Sequence, residues 1–137
     1  HNHVVVIGYG VAGRNVARDL LETGQQVLVI DMGPIGINQA REDGATALLG
    51  NAQRRGVLEH AGIRNAKLVV STLPDYRSSV QTIQQVRAFA SSVPIVARAR
   101  YSIHGEHLAS AGADIVVDEE ECVGHTLAKQ TLLQLGM

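Results

Sequence analysis

The feature that most constrains the fold of this chain is a glycine-rich turn close to its start. Residues 4–7 are Val-Val-Val-Ile, a β-branched run that suits a strand buried on both faces, and Gly8, Gly10 and Gly13 follow it directly. A helical apolar pattern starts within this turn and ends near Gly24. The spacing G-x-G-x-x-G between a strand and a helix is typical of a loop that holds a dinucleotide.

Strand-like and helix-like segments alternate along the rest of the chain. The strand candidates are HVVVIG, QVLVID, TALLG, AKLVVST, PIVARAR and DIVVD, each followed by a helical pattern. Such alternation predicts a parallel sheet with helices on both faces. We therefore expect an α/β, Rossmann-like doubly wound sheet of six parallel strands, formed by one domain over residues 1–137. Helices are expected over 36–44, from near Ala52, and from Pro74 as a first-turn residue.

Charge and composition narrow the classes of function. The formal net charge is -1 at pH 7, which argues against a general nucleic-acid-binding surface. The one cysteine, Cys122, excludes an internal disulfide and is interpreted as a small buried residue. His104 and His107 stand three residues apart without further metal-ligand residues nearby, so we expect them to be solvated and expect no metal site.

Asp31 supplies the second part of the nucleotide signal. It ends the second strand candidate at about 20 residues past the glycine loop, where a carboxylate accepts hydrogen bonds from a ribose. The same charge repels a 2′-phosphate, so NAD(H) or another unphosphorylated adenosine is favoured over NADP(H). The alternative is that Asp31 only caps the turn into Met32 and Gly33.

Other polar residues also stand near strand ends. Asn51 follows the third strand and either hydrogen-bonds an adenine edge or caps the helix that comes next. Thr72 follows the fourth strand, while Arg98 and Arg100 share one face of the fifth. Thr72, Arg98 and Arg100 are placed where they could meet an anion, and the alternative for the arginines is a surface ion pair. The acidic run 118–121 is interpreted as the favourable charge at the start of the last helix.

The nucleotide fold takes up the whole chain, and this bears on enzymatic activity. A nicotinamide oxidoreductase needs a substrate site and usually a proton donor, which normally come from a second domain. We therefore expect no catalytic residues and a protein that uses the nucleotide as a signal. The alternative is the nucleotide-binding fragment of an NAD-dependent oxidoreductase.

The order GYGVAG, Asp31, GNAQRRGVLEHAGI, STLPD, IVARAR and AGADIVV resembles the RCK N-terminal, or Trk-type NAD-binding, domain family. The likeness is strongest to the cytosolic domain of Kef-type monovalent cation:proton antiporters and spans essentially the whole chain. It implies a homodimeric, ligand-gated regulator on the cytoplasmic side of the inner membrane, excised from a longer protein whose membrane-embedded part is an antiporter or channel. A Trk-type potassium-uptake regulatory subunit is a further alternative.

The resemblance also implies the ligand and its contacts. The implied ligand is NAD(H) or AMP. Its phosphate would contact the glycine loop, its ribose Asp31 and its adenine Asn51 and Ala52, while Thr72 and Arg98 would line the cleft. The implied contact residues are Gly8, Tyr9, Gly10, Val11, Ala12, Gly13, Asp31, Met32, Gly50, Asn51, Ala52, Thr72, Leu73 and Arg98. Glutathione-gated Kef members resemble GFGRFG, with an arginine where this chain has Val11, so glutathione control is not implied.

The longest clear helix carries an apolar stripe that bears on assembly. Its members are Val80, Ile83, Val86 and Phe89. Spacings of three to four residues place such side chains near one face of the helix. The stripe either packs inward on the sheet or, together with Leu108 and Ala111 of the next helix, forms the seam of a homodimer. We expect the seam.

Overall fold

A computed structural model describes residues 2–137 of the chain. The strands are β1 (Val4–Ile7), β2 (Val27–Asp31), β3 (Thr46–Leu49), β4 (Leu68–Ser71), β5 (Ile95–Ala99) and β6 (Ile115–Asp118). The helices are α1 (Val11–Glu22), α2 (Pro34–Glu42), α3 (Arg55–His60), α4 (Tyr76–Phe89), α5 (Gly105–Ala111) and α6 (Glu119–Gln134), with 3-10 turns at Ile63–Asn65 and Ser102–His104.

The six strands form one parallel sheet in the order β3-β2-β1-β4-β5-β6. The expected α/β Rossmann-like doubly wound fold is therefore confirmed. The chain moves outward from β1 through β2 to β3, then crosses back to β4 on the other side of β1. This reversal of strand order opens a crevice at the carboxyl ends of β1 and β4, where ligands bind in open α/β sheets.

The two faces of the sheet carry separate apolar cores. Val5 and Ile7 point into the core that α3, α4 and α5 cover, whereas Val4 and Val6 point into the core that α1 and α2 cover. All four side chains are at most 2% exposed, which explains why β1 is apolar without alternation. The glycine loop therefore starts from a strand that is fixed from both sides.

Three helices begin at residues other than those the sequence pattern indicates. α2 starts at Pro34 rather than at residue 36, because the fixed φ of proline suits a first helical position. α3 starts at Arg55 rather than near Ala52, after a turn. Pro74 lies outside α4, whose N-cap is Asp75, and the carboxylate of Asp75 accepts a hydrogen bond from the Arg77 N–H.

The expected dimer seam on α4 and α5 is wrong. Ile83 and Val86 are at most 1% exposed and Leu108 is fully buried, all three within the core beneath the two helices. Val80, Phe89 and Ala111 pack against the same core. A helix that covers a parallel sheet uses its apolar stripe against the strands, and the central residues of this stripe are therefore not available to a second copy.

The interpretation of Cys122 as a buried residue is also wrong. Cys122 lies on α6, and the burial pattern of this helix, which the structure describes in full, contains no buried residue. α6 extends past β6 and contacts mainly that strand and the 3-10 turn at Ser102–His104. Among residues 2–137, no helix combines the length and the apolar character that crossing a membrane requires.

Candidate functional site

The glycine loop is tightly packed on its protein side and open on the other. Gly8 has a φ of +92°, and a Cβ there would lie 2.6 Å from Thr72 Oγ1. A Cβ on Gly13 would lie 1.9 Å from the Gly8 carbonyl oxygen, so α1 packs directly on the loop. By contrast, apart from Gly10 and its two chain neighbours, no described residue has a heavy atom within 4 Å of a Cβ built on Gly10. A ligand can therefore approach the backbone at Gly10 without displacing protein atoms.

The start of α1 adds a positive electrostatic potential to this open side. The N–H groups of Val11, Ala12 and Gly13 belong to the first turn and have no acceptor within the helix. Gly10 caps the helix without a side-chain hydrogen bond, and the sequence places no acidic residue between Gly8 and Arg18. Free N–H groups at the positive end of a helix dipole suit a phosphate.

Asp31 connects the glycine loop to the start of α2. Its Oδ2 accepts a hydrogen bond from the Tyr9 N–H and its Oδ1 accepts one from the Gly33 N–H, each at 2.7 Å. A Cβ on Gly36 would lie 3.1 Å from the carboxylate, so α2 approaches it closely. Asp31 therefore does cap the turn into Gly33, and each oxygen keeps a further lone pair for another donor. Its ribose contact stays a prediction.

A cavity of about 190 Å³ lies beside the loop, between the β3–α3 connection and the start of α4. It brings together half of the residues expected at the site, namely Gly8, Asp31, Met32, Gly50, Asn51, Ala52 and Leu73. Its other lining residues were missed by the sequence reasoning and are Ile7, Ile30, Gln53, Pro74, Asp75, Ser78 and Thr82. The signal that was available is the pair of hydroxyl residues Ser78 and Thr82, four apart on the inward side of α4. A larger groove of about 600 Å³ lies at the opposite edge of the sheet, around His3 and Gln25.

Thr72 and Arg98 support the site from outside the cavity. The Thr72 hydroxyl has one proton, which it shares between two acceptors, the Ile7 carbonyl oxygen at 2.8 Å and the Gly8 carbonyl oxygen at 3.1 Å. Arg98 Nη1 donates to the Thr72 carbonyl oxygen at 3.0 Å, and its Nη2 lies 2.6 Å from Glu119 Oε1. Of the two alternatives for Arg98, the structure shows the ion pair.

The side chain of Tyr9 points away from the open side of the loop. It is 6% exposed, packs in the core beneath α1 and α2, and donates a hydrogen bond of 2.5 Å to Asp43 Oδ2. Burial, and then the hydrogen bond and charge of Asp43, raise the pKa of Tyr9 to about 12. Hydrogen bonds from Arg14 and then Tyr9 lower the pKa of Asp43 to about 2. Tyr9 therefore anchors the loop, and Val11, 83% exposed, lies on its surface.

Asn51 shapes the turn that leads into α3. Its Oδ1 accepts a hydrogen bond of 2.9 Å from the Gln53 N–H, so the side chain caps this turn and not the helix itself. The bond uses the carbonyl oxygen and leaves the amide NH₂ to other partners. An adenine contact by Asn51 stays a prediction.

His104, His107 and the acidic run 118–121 lie near β5 and β6, on the side of the sheet away from β3. Of the two histidines expected to be solvated, His107 is exposed, whereas His104 is half-buried and its ring stacks on Tyr76 with centroids 3.6 Å apart. Within residues 2–137, no group of three or more His, Cys, Asp or Glu side chains is placed to hold a metal ion. The interpretation of the acidic run is confirmed, since Asp118 caps α6 by accepting from the Glu121 N–H.

The fold and the loop define a domain of the Rossmann type. Residues 4–119 match the protein family described as "TrkA-N domain", and the chain belongs to this family. The expected resemblance to Trk-type and Kef-type domains is therefore confirmed.

Individual relatives add detail. KefC of Salmonella arizonae, a glutathione-regulated potassium-efflux system protein, is 31% identical over 136 residues, which are 98% of this chain and 22% of that protein. The TrkA-N domain of the Escherichia coli inner membrane protein YbaL matches with a TM-score of 0.89 at 28% identity, covering 94% of this chain and 96% of that one. The Shewanella denitrificans Kef CTD in its AMP-bound form matches with a TM-score of 0.88 at 26% identity, covering 99% of this chain and 82% of that one.

Proposed function

We propose that this chain is the nucleotide-sensing regulatory domain of a monovalent cation:proton antiporter of the inner membrane. It binds AMP or NAD(H) on the cytoplasmic side and is not itself an enzyme. The observation that carries the proposal is the open backbone at Gly10, at the positive end of α1 and beside a cavity that Asp31 lines. The relationship to KefC and YbaL supports the transporter, and the AMP-bound Kef domain supports the nucleotide.

The residues of the site fit the parts of an adenosine nucleotide. The first-turn N–H groups of α1 would hold the phosphate, and the remaining lone pairs of Asp31 would accept from the ribose hydroxyls. The cavity beyond Asp31 has largely apolar walls, including Ile7, Ile30 and Leu73, and would take the base. In this proposal the bound nucleotide is itself the signal, and the domain catalyses no reaction.

A chain of contacts connects the loop to the start of α6. Thr72 bonds to the Gly8 carbonyl, Arg98 bonds to the Thr72 carbonyl, and Glu119 in the first turn of α6 pairs with Arg98. A nucleotide that binds better to one arrangement of this chain of contacts shifts the population of α6 positions. The ratio of the nucleotide affinities of the two arrangements sets the largest change in their populations, and hence the largest effect on the antiporter.

A homodimer is the second part of the proposal, with a seam on β6 and α6 instead of α4 and α5. Ile115 and Val117 point away from the core under α5 and are 58% and 44% exposed. On α6, Val123, Leu127 and Leu133 are each at least half exposed. A helix with exposed apolar residues on several sides is normally buried between other elements. In the proposed dimer, α6 of the second copy packs on the exposed face of β6 of the first copy, and the second copy also covers the exposed apolar residues of α6.

Titration calorimetry with AMP and NADH tests the nucleotide part. We expect Gly10→Val to abolish binding, because its side chain occupies the space over the loop, while the circular dichroism spectrum stays native. The matched control is Gly56→Val, another glycine with open space around it, which lies outside the cavity lining. Unchanged affinity in Gly10→Val would mean that the loop is not the phosphate site.

Sedimentation velocity at tens of micromolar, with and without AMP, tests the dimer. The wild-type chain should sediment as a dimer, and Leu127→Asp should sediment as a monomer because it places a charge in the seam. The control is Ile35→Asp, since Ile35 is 86% exposed on α2, away from the seam. A wild-type monomer under both conditions, or a dimeric Leu127→Asp, would contradict the proposed seam.

A further inference from the structure

One buried hydroxyl in the cavity lacks a hydrogen-bond partner. Thr82 is 1% exposed on α4 and belongs to the lining of the cavity beside the glycine loop. Among residues 2–137, no group forms a hydrogen bond with its Oγ1, although that atom is shielded from solvent. A buried donor and acceptor without a partner is costly, because it has given up its hydrogen bonds to water.

Other threonines of the same protein show how unusual this is. A threonine inside a helix can bond to the carbonyl oxygen three or four residues earlier. Thr126 does so with Cys122 at 3.0 Å, and Thr131 does so with Leu127 at 2.7 Å, both on α6. Thr82 makes no such bond on α4. Its hydroxyl is therefore held away from the acceptor that the helix itself offers.

The position of Thr82 within the cavity limits which chemical group could form a hydrogen bond with its hydroxyl. Ser78 lies one turn before Thr82 on α4, and both residues line the cavity together with Ile7, Ile30 and Leu73. This wall faces the part of the site beyond the loop and Asp31. A flat apolar group with polar atoms along its edge fits such a wall, whereas a phosphate or a ribose fits the loop and Asp31.

We infer that the Thr82 hydroxyl hydrogen-bonds the edge of the purine base of the bound nucleotide and is a specificity-determining contact of this site. The inference rests on the proposed function, because it takes the cavity to be the place of the base. The partner completes a hydroxyl that the folded chain leaves unsatisfied. Loss of this hydroxyl should therefore weaken binding without weakening the fold.

The test is Thr82→Val, which keeps the shape of the side chain and removes the hydroxyl. We expect the dissociation constant for AMP to rise about three- to tenfold, the range for one hydrogen bond, and that for NADH to rise by the same factor. The melting temperature of the nucleotide-free protein should stay the same or rise, because an unsatisfied buried group is removed. The control is Thr126→Val, on an exposed position of α6, which should leave the AMP affinity unchanged.

The 2′-deoxy analogue of AMP separates a base contact from a ribose contact. If Thr82 contacts the base, Thr82→Val weakens the deoxy analogue by the same factor as AMP. A loss that disappears with the deoxy analogue would assign Thr82 to the ribose and overturn the inference.

Unchanged AMP affinity in Thr82→Val, or a clearly lower melting temperature of the free variant, would also overturn the inference while leaving nucleotide sensing intact. A wild-type protein that binds neither AMP nor NADH would overturn the proposed function and this inference together.

Discussion

Substitution of Gly13 by alanine should destabilise the fold through one contact. The added Cβ would lie 1.9 Å from the Gly8 carbonyl oxygen and 2.8 Å from its carbonyl carbon. Both are backbone atoms of a loop that Thr72 and Asp31 hold in place. α1 must therefore move away by about 1.5 Å before the methyl group reaches an ordinary contact distance. Ala17, which is fully buried one turn later, moves with it and loses part of its packing on the sheet.

The magnitude follows from two opposing terms. Overpacking of this kind costs about 1–3 kcal/mol, and more where backbone must shift. Replacing glycine by alanine returns about 0.5–1 kcal/mol, because the unfolded chain loses freedom. Because the clash is with backbone, the cost lies at the upper end of its range, and we expect the free energy of unfolding to fall by about 2 kcal/mol. For a domain of this size that loss lowers the melting temperature by about 6–8 °C.

Urea and thermal unfolding followed by circular dichroism provide the measurement, since the chain contains no tryptophan. Gly10→Ala is the matched control, because a Cβ at Gly10 meets open space and its φ of -80° suits any residue. Its stability should lie within about 1 kcal/mol of the wild type, the usual cost of replacing a helix-capping glycine. If Gly13→Ala is as stable as Gly10→Ala, the close packing of α1 on the loop is refuted.

Two further outcomes are expected. NADH should bind at least about tenfold more tightly than NADPH in calorimetry, because a 2′-phosphate near Asp31 would meet a like charge; tighter NADPH binding would remove Asp31 from the ribose role. Stability should also fall between about pH 4 and pH 2. The pKa of Asp43 is about 2 in the folded chain against an ordinary 3.8. The contribution of Asp43 to stability is therefore complete above about pH 4 and is lost as the folded carboxylate is protonated. Urea midpoints against pH should show a shallower acid decline in Asp43→Asn, and equal declines would assign the acid sensitivity to other groups.

The sequence alone was sufficient to predict the fold and the loop. The unbroken β-branched run at residues 4–7 indicates a strand covered on both sides, and alternation of strands and helices indicates a parallel sheet. Gly8 and Gly13 are required by a positive φ and a close backbone approach, respectively. These requirements concern residues close in the chain or a repeating period, so they can be recognised without knowledge of the tertiary packing.

Only the tertiary structure decided which apolar surfaces pair and which polar groups are already satisfied. Ile83 and Leu108 are buried in the core, whereas Cys122 is exposed, because α4 and α5 cover the sheet and α6 extends past its edge. The carboxylate of Asp31 is bonded to two backbone N–H groups, and the hydroxyl of Thr82 is left without a partner. Burial and hydrogen bonding of this kind depend on contacts between residues that are distant in the sequence. Neither the periodicity of apolar residues nor the spacing of a motif indicates which distant residues will be in contact.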